Sequence, residues 1–578
     1  MPLNLGSIER PFMPRFLALP LSALALCLSA CSTSHVSDAD YTTPEGQLFG
    51  EYLAGTYANE IDDAEARTDY YTKAFSRLQG DTALGRRAIT AALQSGDLEL
   101  ARKHARNVIN QDAQAPVARA VLGTHAFANG NYAQTEKYLG GTTGDPSMRM
   151  IMQLVQGWSE AAQGNYDAAD ELFGGLQSWS YFQFFGELQQ GKLYALQGRT
   201  DDAVEKFTEV ASLGLAPVET AMSQARALSH AGRMDEALEG LKALSDANGG
   251  VEIGPIAWAI AELEAGRDLG GLLSPRQEGA RALIDPAVGF FGRNQAQDVA
   301  EVYLRLARLI DPESENGKLR LAFLLEQLDR VDEAETLYRA IDIKSPYDVQ
   351  SELSLATLYL RKDDDEEALA VLERSYARKP INATRETLGR VRVFRENYEE
   401  ALPVYQALVD SLSEEELKAD VEPLYFRGIC YERLKKWDEA VADFRRVLEI
   451  DPDNADALNY LGYTWVDRGE NLTEAFDMIR KAVELEPDSG AIIDSLGWAH
   501  YKLGQYDEAK IHLEKAVVLT PASATIVDHL GDVYWKLGRF REAGYQWERA
   551  LDFDPTEEEE ANIRTKLDGG FEAIDAAP

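Results

Sequence analysis

The stretch GELQQGKL, residues 186 to 193, is where this chain comes nearest to a catalytic signature. Two glycines and a lysine stand at the spacing of a phosphate-cradling loop, but Leu193 takes the place of the Ser or Thr whose hydroxyl would hold magnesium. Gly191 also falls at the small-residue position of a helical pattern, which commits its amide to a helix. Nucleotide binding is not expected. The seven histidines are scattered, with no H-E-x-x-H pair and no Cys/His cluster at metal-ligand spacing. No G-x-S-x-G turn presents a serine nucleophile. Catalytic groups are usually carried on irregular loops, and this chain has few. No enzyme, cofactor or metal is expected.

Cysteine chemistry does not hold the chain together. Cys27 and Cys31 lie near the amino terminus and Cys430 stands alone, so there is no disulfide framework. Cys430 sits inside a helical pattern and reads as a buried small hydrophobe. The net charge of -39 over 578 residues leaves no basic stripe for nucleic acid and disfavours docking on anionic lipid head groups. Hydrophobic and charged contents of 45% and 27% are those of a folded chain. The length exceeds what one core holds, so several domains or an extended array are expected.

The amino terminus reads as an address. Arg15 precedes an apolar run from Phe16 that ends in small residues before Cys31, too short to span a membrane as a helix and suited to a secretory signal. Met13 is an alternative start. Leu28-Ser29-Ala30-Cys31 resembles the lipobox of bacterial lipoproteins, which implies cleavage after residue 30 and acylation of the Cys31 thiol. By the same resemblance, Ser32 in place of Asp implies passage to the outer membrane of a Gram-negative cell, facing the periplasm. Residues 31–45 are polar and aperiodic and read as the lipidated Cys with a flexible tether.

The elements that fill the rest are helices in a repeat. DSLGWAHYKLGQYDEAKIHLEKAVVLTP from Asp494 is followed by DHLGDVYWKLGRFREAGYQWERALDFDP from Asp528, 34 residues on. Apolar and small residues recur at three- and four-residue spacing, break at Gly504, resume at Asp507-Glu508 and stop at Pro521. Gly497 and Ala509 are placed to let the two helices approach closely. Gly428, Gly462, Gly497 and Gly531 head four such units, with Ala440, Ala475, Ala509 and Ala543 in their second helices. Fainter copies are marked by Pro312, Pro346 and Pro380, and about a dozen units are expected from residue 82 onward. This grammar resembles the tetratricopeptide repeat. The resemblance implies an all-α, right-handed superhelical solenoid of helix-turn-helix units. The expected division is a signal over 1–30, the tether, an amino-terminal array over 46–245, an irregular unit or hinge over 246–300, a carboxy-terminal array over 301–555, and a capping helix and tail over 556–578.

In that family the first helices line a groove that binds protein or peptide. Equivalent rungs here are Asn459, Asp494 and Asp528, then Tyr463, Trp498 and Asp532, then Tyr501 and Trp535. Carboxylates interleaved with large aromatics could pair with Lys or Arg and stack on an extended chain. The expected function is a lipid-anchored scaffold or adaptor at the cell envelope, delivering substrates to a periplasmic protease. The competing expectation is a structural subunit of an outer-membrane protein assembly or polysaccharide export complex.

Overall fold

The helices of this chain begin on side chains and turn on left-handed residues. Asp63, Asp81 and Asp97 each accept a backbone N–H from the residue three positions on, opening the helices Ala64–Arg77, Thr82–Gln94 and Leu98–Gln111. Within most pairs the reversal is made at positive φ. Gly96, Gly130, Gly164, Gly198, Gly232 and Gly266 all take it, at an unbroken spacing of 34 residues. Farther along, Asp329, Asp363, Glu396 and Lys435 hold the same conformation with φ between 56° and 60°, a strain of about 1–3 kcal/mol each that the surrounding packing must offset.

The computed structural model describes residues 43–569, apart from 62, 142–145, 179–182, 215–216, 251–253 and 291–295. The expected signal, Cys31 and the segment before residue 43 lie outside the described residues. Most of the 31 described α-helices, from Pro44–Glu60 to Glu557–Gly569, pack as consecutive pairs, and no strand occurs among the described residues. The fold is an all-α solenoid. No described helix is long and apolar enough to cross a membrane.

Close approach within a pair follows the small residues. A Cβ built on Gly428, Gly462, Gly497 or Gly531 would lie 2.5–2.9 Å from the side chain of Phe444, Ile479, Leu513 or Trp547 on the second helix. Each glycine is thus a socket for one large residue. Ala440, Ala475, Ala509 and Ala543 are fully buried beside them. Cys430 is buried in this core, and burial pushes its thiol up to about 12.

The chain divides into two units, 1–371 and 372–578, with the boundary inside the helix Asp365–Arg378. The segment expected as an irregular unit or hinge, 246–300, holds two described helices. Gly254–Glu264 continues the 34-residue series, closed by Gly266, and Pro275–Phe290 is a long helix bearing Pro286 that packs on earlier repeats.

Candidate protein-binding groove

The first helices of the two units meet different fates. In the amino-terminal unit a face of these helices is taken by the chain itself. Pro275–Phe290 packs against the first helices Pro146–Ala162 and Gln183–Leu196, and the next helix, Gln297–Ile310, packs against Pro116–Ala128 and Thr82–Gln94. Contact is close enough that a Cβ on Gly279 would stand 2.6 Å from Phe127 and 3.3 Å from Trp158. Tyr303 donates to the Ser147 carbonyl at 2.6 Å. The open end of Thr82–Gln94 is sealed by two guanidinium groups: Arg305 and Arg330 both donate to the Gln94 carbonyl, at 2.8 and 2.6 Å, while pairing with Glu301 and Glu333.

Lys192 belongs to the same junction. It lies 2.8 Å from Glu219 and 3.5 Å from both Glu278 and Asp285, and Arg281 reaches Glu219 at 2.5 Å. The lysine of the phosphate-loop look-alike is therefore a buried cation tying two repeats to the covering helix. Its neighbour Gly191 packs on Phe207, as a helix glycine should. Burial alone would lower the Lys192 ammonium, yet the three carboxylates hold it above its ordinary value. Burial, with the nearby Glu219 charge, pushes Asp285 up to about 7. Glu219 is held far below its usual range, because Arg281 and Lys192 outweigh its own burial.

These opposed shifts give a signed expectation. A carboxyl raised in the folded state adds stability that is full below its unfolded value, near 4, and is lost as pH climbs through 7. The Glu219 contribution runs the other way and is already complete above about pH 5. Between pH 5 and 8 the slope from this cluster comes from Asp285. Thermal midpoints of the wild-type chain should fall across that interval, and Asp285→Asn should flatten the fall. Parallel curves for the two chains would show that Asp285 does not titrate there.

In the carboxy-terminal unit the first helices are Asn382–Phe394, Glu422–Arg433, Ala455–Arg468, Gly490–Lys502 and Ala524–Lys536. Every residue expected to line the groove falls on the last three of these. Their environments depart from an open row of acids and aromatics. Asp494 is buried and His529 Nδ1 approaches its two oxygens at 3.0 and 3.1 Å. Burial would lower the His529 imidazolium, but the Asp494 carboxylate raises it above the ordinary value. Asp528 receives Lys566 at 2.8 and 2.7 Å, and Asp532 receives the same ammonium at 2.8 Å together with Trp547 Nε1 at 3.0 Å. Asp532 is 2% exposed, and burial with the Asp528 charge pushes it up to about 6. The three aspartates thus have cationic partners from this chain, one of them on the capping helix Glu557–Gly569.

The aromatics are engaged as well. The Trp498 ring stacks on Tyr501 at 4.6 Å and on His529 at 4.0 Å, and Trp535 packs edge-on against Phe540 and beside Trp547. Tyr463 is half-buried, and that burial raises its phenol well above the usual value. Among the residues expected on the rungs, two polar atoms on adjacent first helices lack a hydrogen bond. Asn459 Oδ1, an acceptor, and Trp498 Nε1, a donor, are both buried and neither has a hydrogen-bond partner. Sequence reasoning placed both residues on the rungs but missed Lys566, whose lysine in an acidic terminal helix gave no signal of its target. No cluster of His, Cys, Asp and Glu among the described residues is arranged to hold a metal.

With this geometry in place, comparison with known proteins identifies the repeat. Residues 421–454 and 188–250 match models described as Tetratricopeptide repeat, and residues 497–538 match a TPR repeat model. These segments are tetratricopeptide repeats. The TPR repeat-containing protein PA4667 of Pseudomonas aeruginosa is 28% identical over 163 residues, which span 28% of this chain and 27% of that protein. The match thus reaches across about a quarter of that relative's length. Among solved structures, a tetratricopeptide repeat protein from Parabacteroides merdae aligns over 44% of this chain and 98% of its own, at 18% identity and a TM-score of 0.39. The Cut9 and Hcn1 assembly of the APC/C aligns over 92% and 97%, at 15% identity and a TM-score of 0.36. YrrB, a TPR protein with an unusual peptide-binding site, aligns over 33% and 95%, at 24% identity and a TM-score of 0.29.

Proposed function

We propose that this chain is a lipid-anchored scaffold of the cell envelope that holds a protein segment along the first helices of its carboxy-terminal unit. The observation that carries the reading is the pair Asn459 Oδ1 and Trp498 Nε1. A buried polar atom left unpaired costs about 1–3 kcal/mol, and Asn459 Oδ1 and Trp498 Nε1 are an acceptor and a donor, the types of group that a bound backbone's N–H and C=O would satisfy. The amino-terminal groove is filled by the chain's own helices, which leaves the carboxy-terminal face for a partner. Anchoring through acylated Cys31 at the outer membrane would keep the captured protein at the periplasmic surface. Delivery of that protein to a periplasmic protease is the use we favour over a fixed place in an assembly or export complex, because the unsatisfied atoms suit a ligand that comes and goes.

Trp498→Phe keeps the ring and removes the N–H, and Asn459→Ala removes the acceptor. In cross-linked membranes each change should lower co-purified partner about tenfold, the equivalent of one lost hydrogen bond of roughly 1.4 kcal/mol. Quantitative mass spectrometry of the recovered partner measures it. Undiminished recovery with both variants would remove the groove from consideration. Labelled palmitate on wild-type chain, absent from Cys31→Ser, tests the anchor separately.

A further inference from the structure

Among the described residues, the first helix, Pro44–Glu60, packs on Ala64–Arg77 and has no preceding helix against it. Every later first helix of the amino-terminal series is covered by the second helix of the preceding repeat: Ala64–Arg77 covers Thr82–Gln94, and Leu98–Gln111 covers Pro116–Ala128. On Pro44–Glu60 one side is used, where Gly55 and Ala58 are buried and a Cβ on Gly55 would meet Tyr71 at 2.8 Å. The other side carries Phe49, Leu53, Tyr57 and, just past its end, Ile61, at intervals of four residues and 64, 48, 63 and 55% exposed. Large apolar groups in a row at helical spacing are a packing face without its partner.

The chemistry of that face selects the partner. We propose that it is the same helix of a second copy of this chain, forming a head-to-head dimer. Beside the apolar ridge runs a shallow lane of Gly46, Gly50 and Ala54, and a Cβ on Gly50 would touch nothing within 4 Å. Ridge and lane on one helix are self-complementary under a two-fold axis, the ridge of each copy seating in the lane of the other. Charge points the same way. A chain of net charge -39 repels its copies over most of its surface, but this face carries charge only at its two ends, Glu45 and Glu60, and the nearby Glu51 is already paired with Arg77 at 2.7 Å. A bilayer is a poorer fit, because helices that lie in a membrane interface carry Lys or Arg beside their apolar face, and Pro44–Glu60 has neither. The dimer does not require the lipid anchor, but it accommodates one. The 12 residues from Cys31 to Thr43 span at most about 40 Å, so two tethers leaving one interface can reach one membrane.

Cross-linking in the membranes of cells producing the full chain tests this. Gly50→Cys should give a disulfide-linked dimer under mild oxidation, while Val518→Cys, 78% exposed on the other unit, should give little. Adding Phe49→Glu to Gly50→Cys should lower the cross-link at least tenfold, with an unchanged melting curve because Phe49 is outside the core. Equal cross-linking at the two cysteines, or persistence with Phe49→Glu, overturns the proposal. So does a Gly50→Cys adduct with a different protein, which makes the occupant a partner, or quenching of a fluorophore on Leu53→Cys by brominated lipid, which makes it the bilayer. Palmitate labelling of Cys31 in the same membranes reports on the anchor independently of every one of these outcomes.

Discussion

Lys192→Met is expected to destabilise the amino-terminal unit by about 3–5 kcal/mol, the usual consequence of deleting one member of a buried ion cluster. Methionine occupies nearly the same volume, so the loss is one of charge rather than packing. Glu219 keeps Arg281 at 2.5 Å, but Glu278 Oε2 and Asp285 Oδ2 have no hydrogen bond, and Lys192 is their nearest cation, at 3.5 Å. Removing it strands two carboxylates between Gln183–Leu196 and the covering helix. Those residues join elements far apart in sequence, so the covering helix should loosen first. Urea unfolding followed by circular dichroism measures the loss as a shift in the amino-terminal unit's transition. Because Asp285 is pushed up to about 7, the deficit should be smaller at pH 5, where its proton neutralises one stranded charge. Lys192→Met with Asp285→Asn should recover part of it at pH 8. A loss below about 1 kcal/mol would mean that apolar packing around Gly279 and Phe127 holds the junction without the ions.

The contrast between the two grooves shows what a repeat sequence makes legible. The 34-residue period, the socket glycines and the turn positions are local, each fixed by contacts between neighbouring helices, so Gly497 against Leu513 could be anticipated from spacing alone. The amino-terminal series was equally regular at its turns, from Gly96 to Gly266, although its packing positions vary more. What spacing does not encode is a contact between elements hundreds of residues apart. Arg305 and Arg330 reach the Gln94 carbonyl across 211 and 236 positions, and nothing in either local pattern names the other. The groove aspartates were visible as a row of equivalent positions, but their partners were not. His529 is one rung away from Asp494 and was there to be read; Lys566 lies on a helix outside the repeat. An acidic rung therefore signals a cationic partner without saying whether the partner is another molecule or the next turn of the same chain.

That ambiguity bears on the last repeat, where Trp547→Ala should cost the carboxy-terminal unit about 3–5 kcal/mol. Trp547 is 1% exposed and plugs the socket at Gly531, where a Cβ would come within 2.5 Å of its ring. Alanine leaves that socket empty, and the glycine opposite has no side chain with which to fill it. The indole also donates to Asp532 at 3.0 Å, so its loss withdraws one of the two groups that compensate a carboxylate buried among apolar residues. Trp547→Phe separates the terms: it fills most of the volume, removes only the donor, and should cost about 1–3 kcal/mol. Lys566 then carries Asp532 alone while still shared with Asp528. Hydrogen exchange on Glu557–Gly569 should therefore speed up in both variants, and more in the alanine chain, as the capping helix loses its hold on Ile563 and the last core. Denaturant titration gives the total, and exchange locates it. If alanine left the cap protected as in the wild type, the lysine and apolar contacts would be holding the end of the stack without the tryptophan, and the socket would be a fit of shapes with little energy in it.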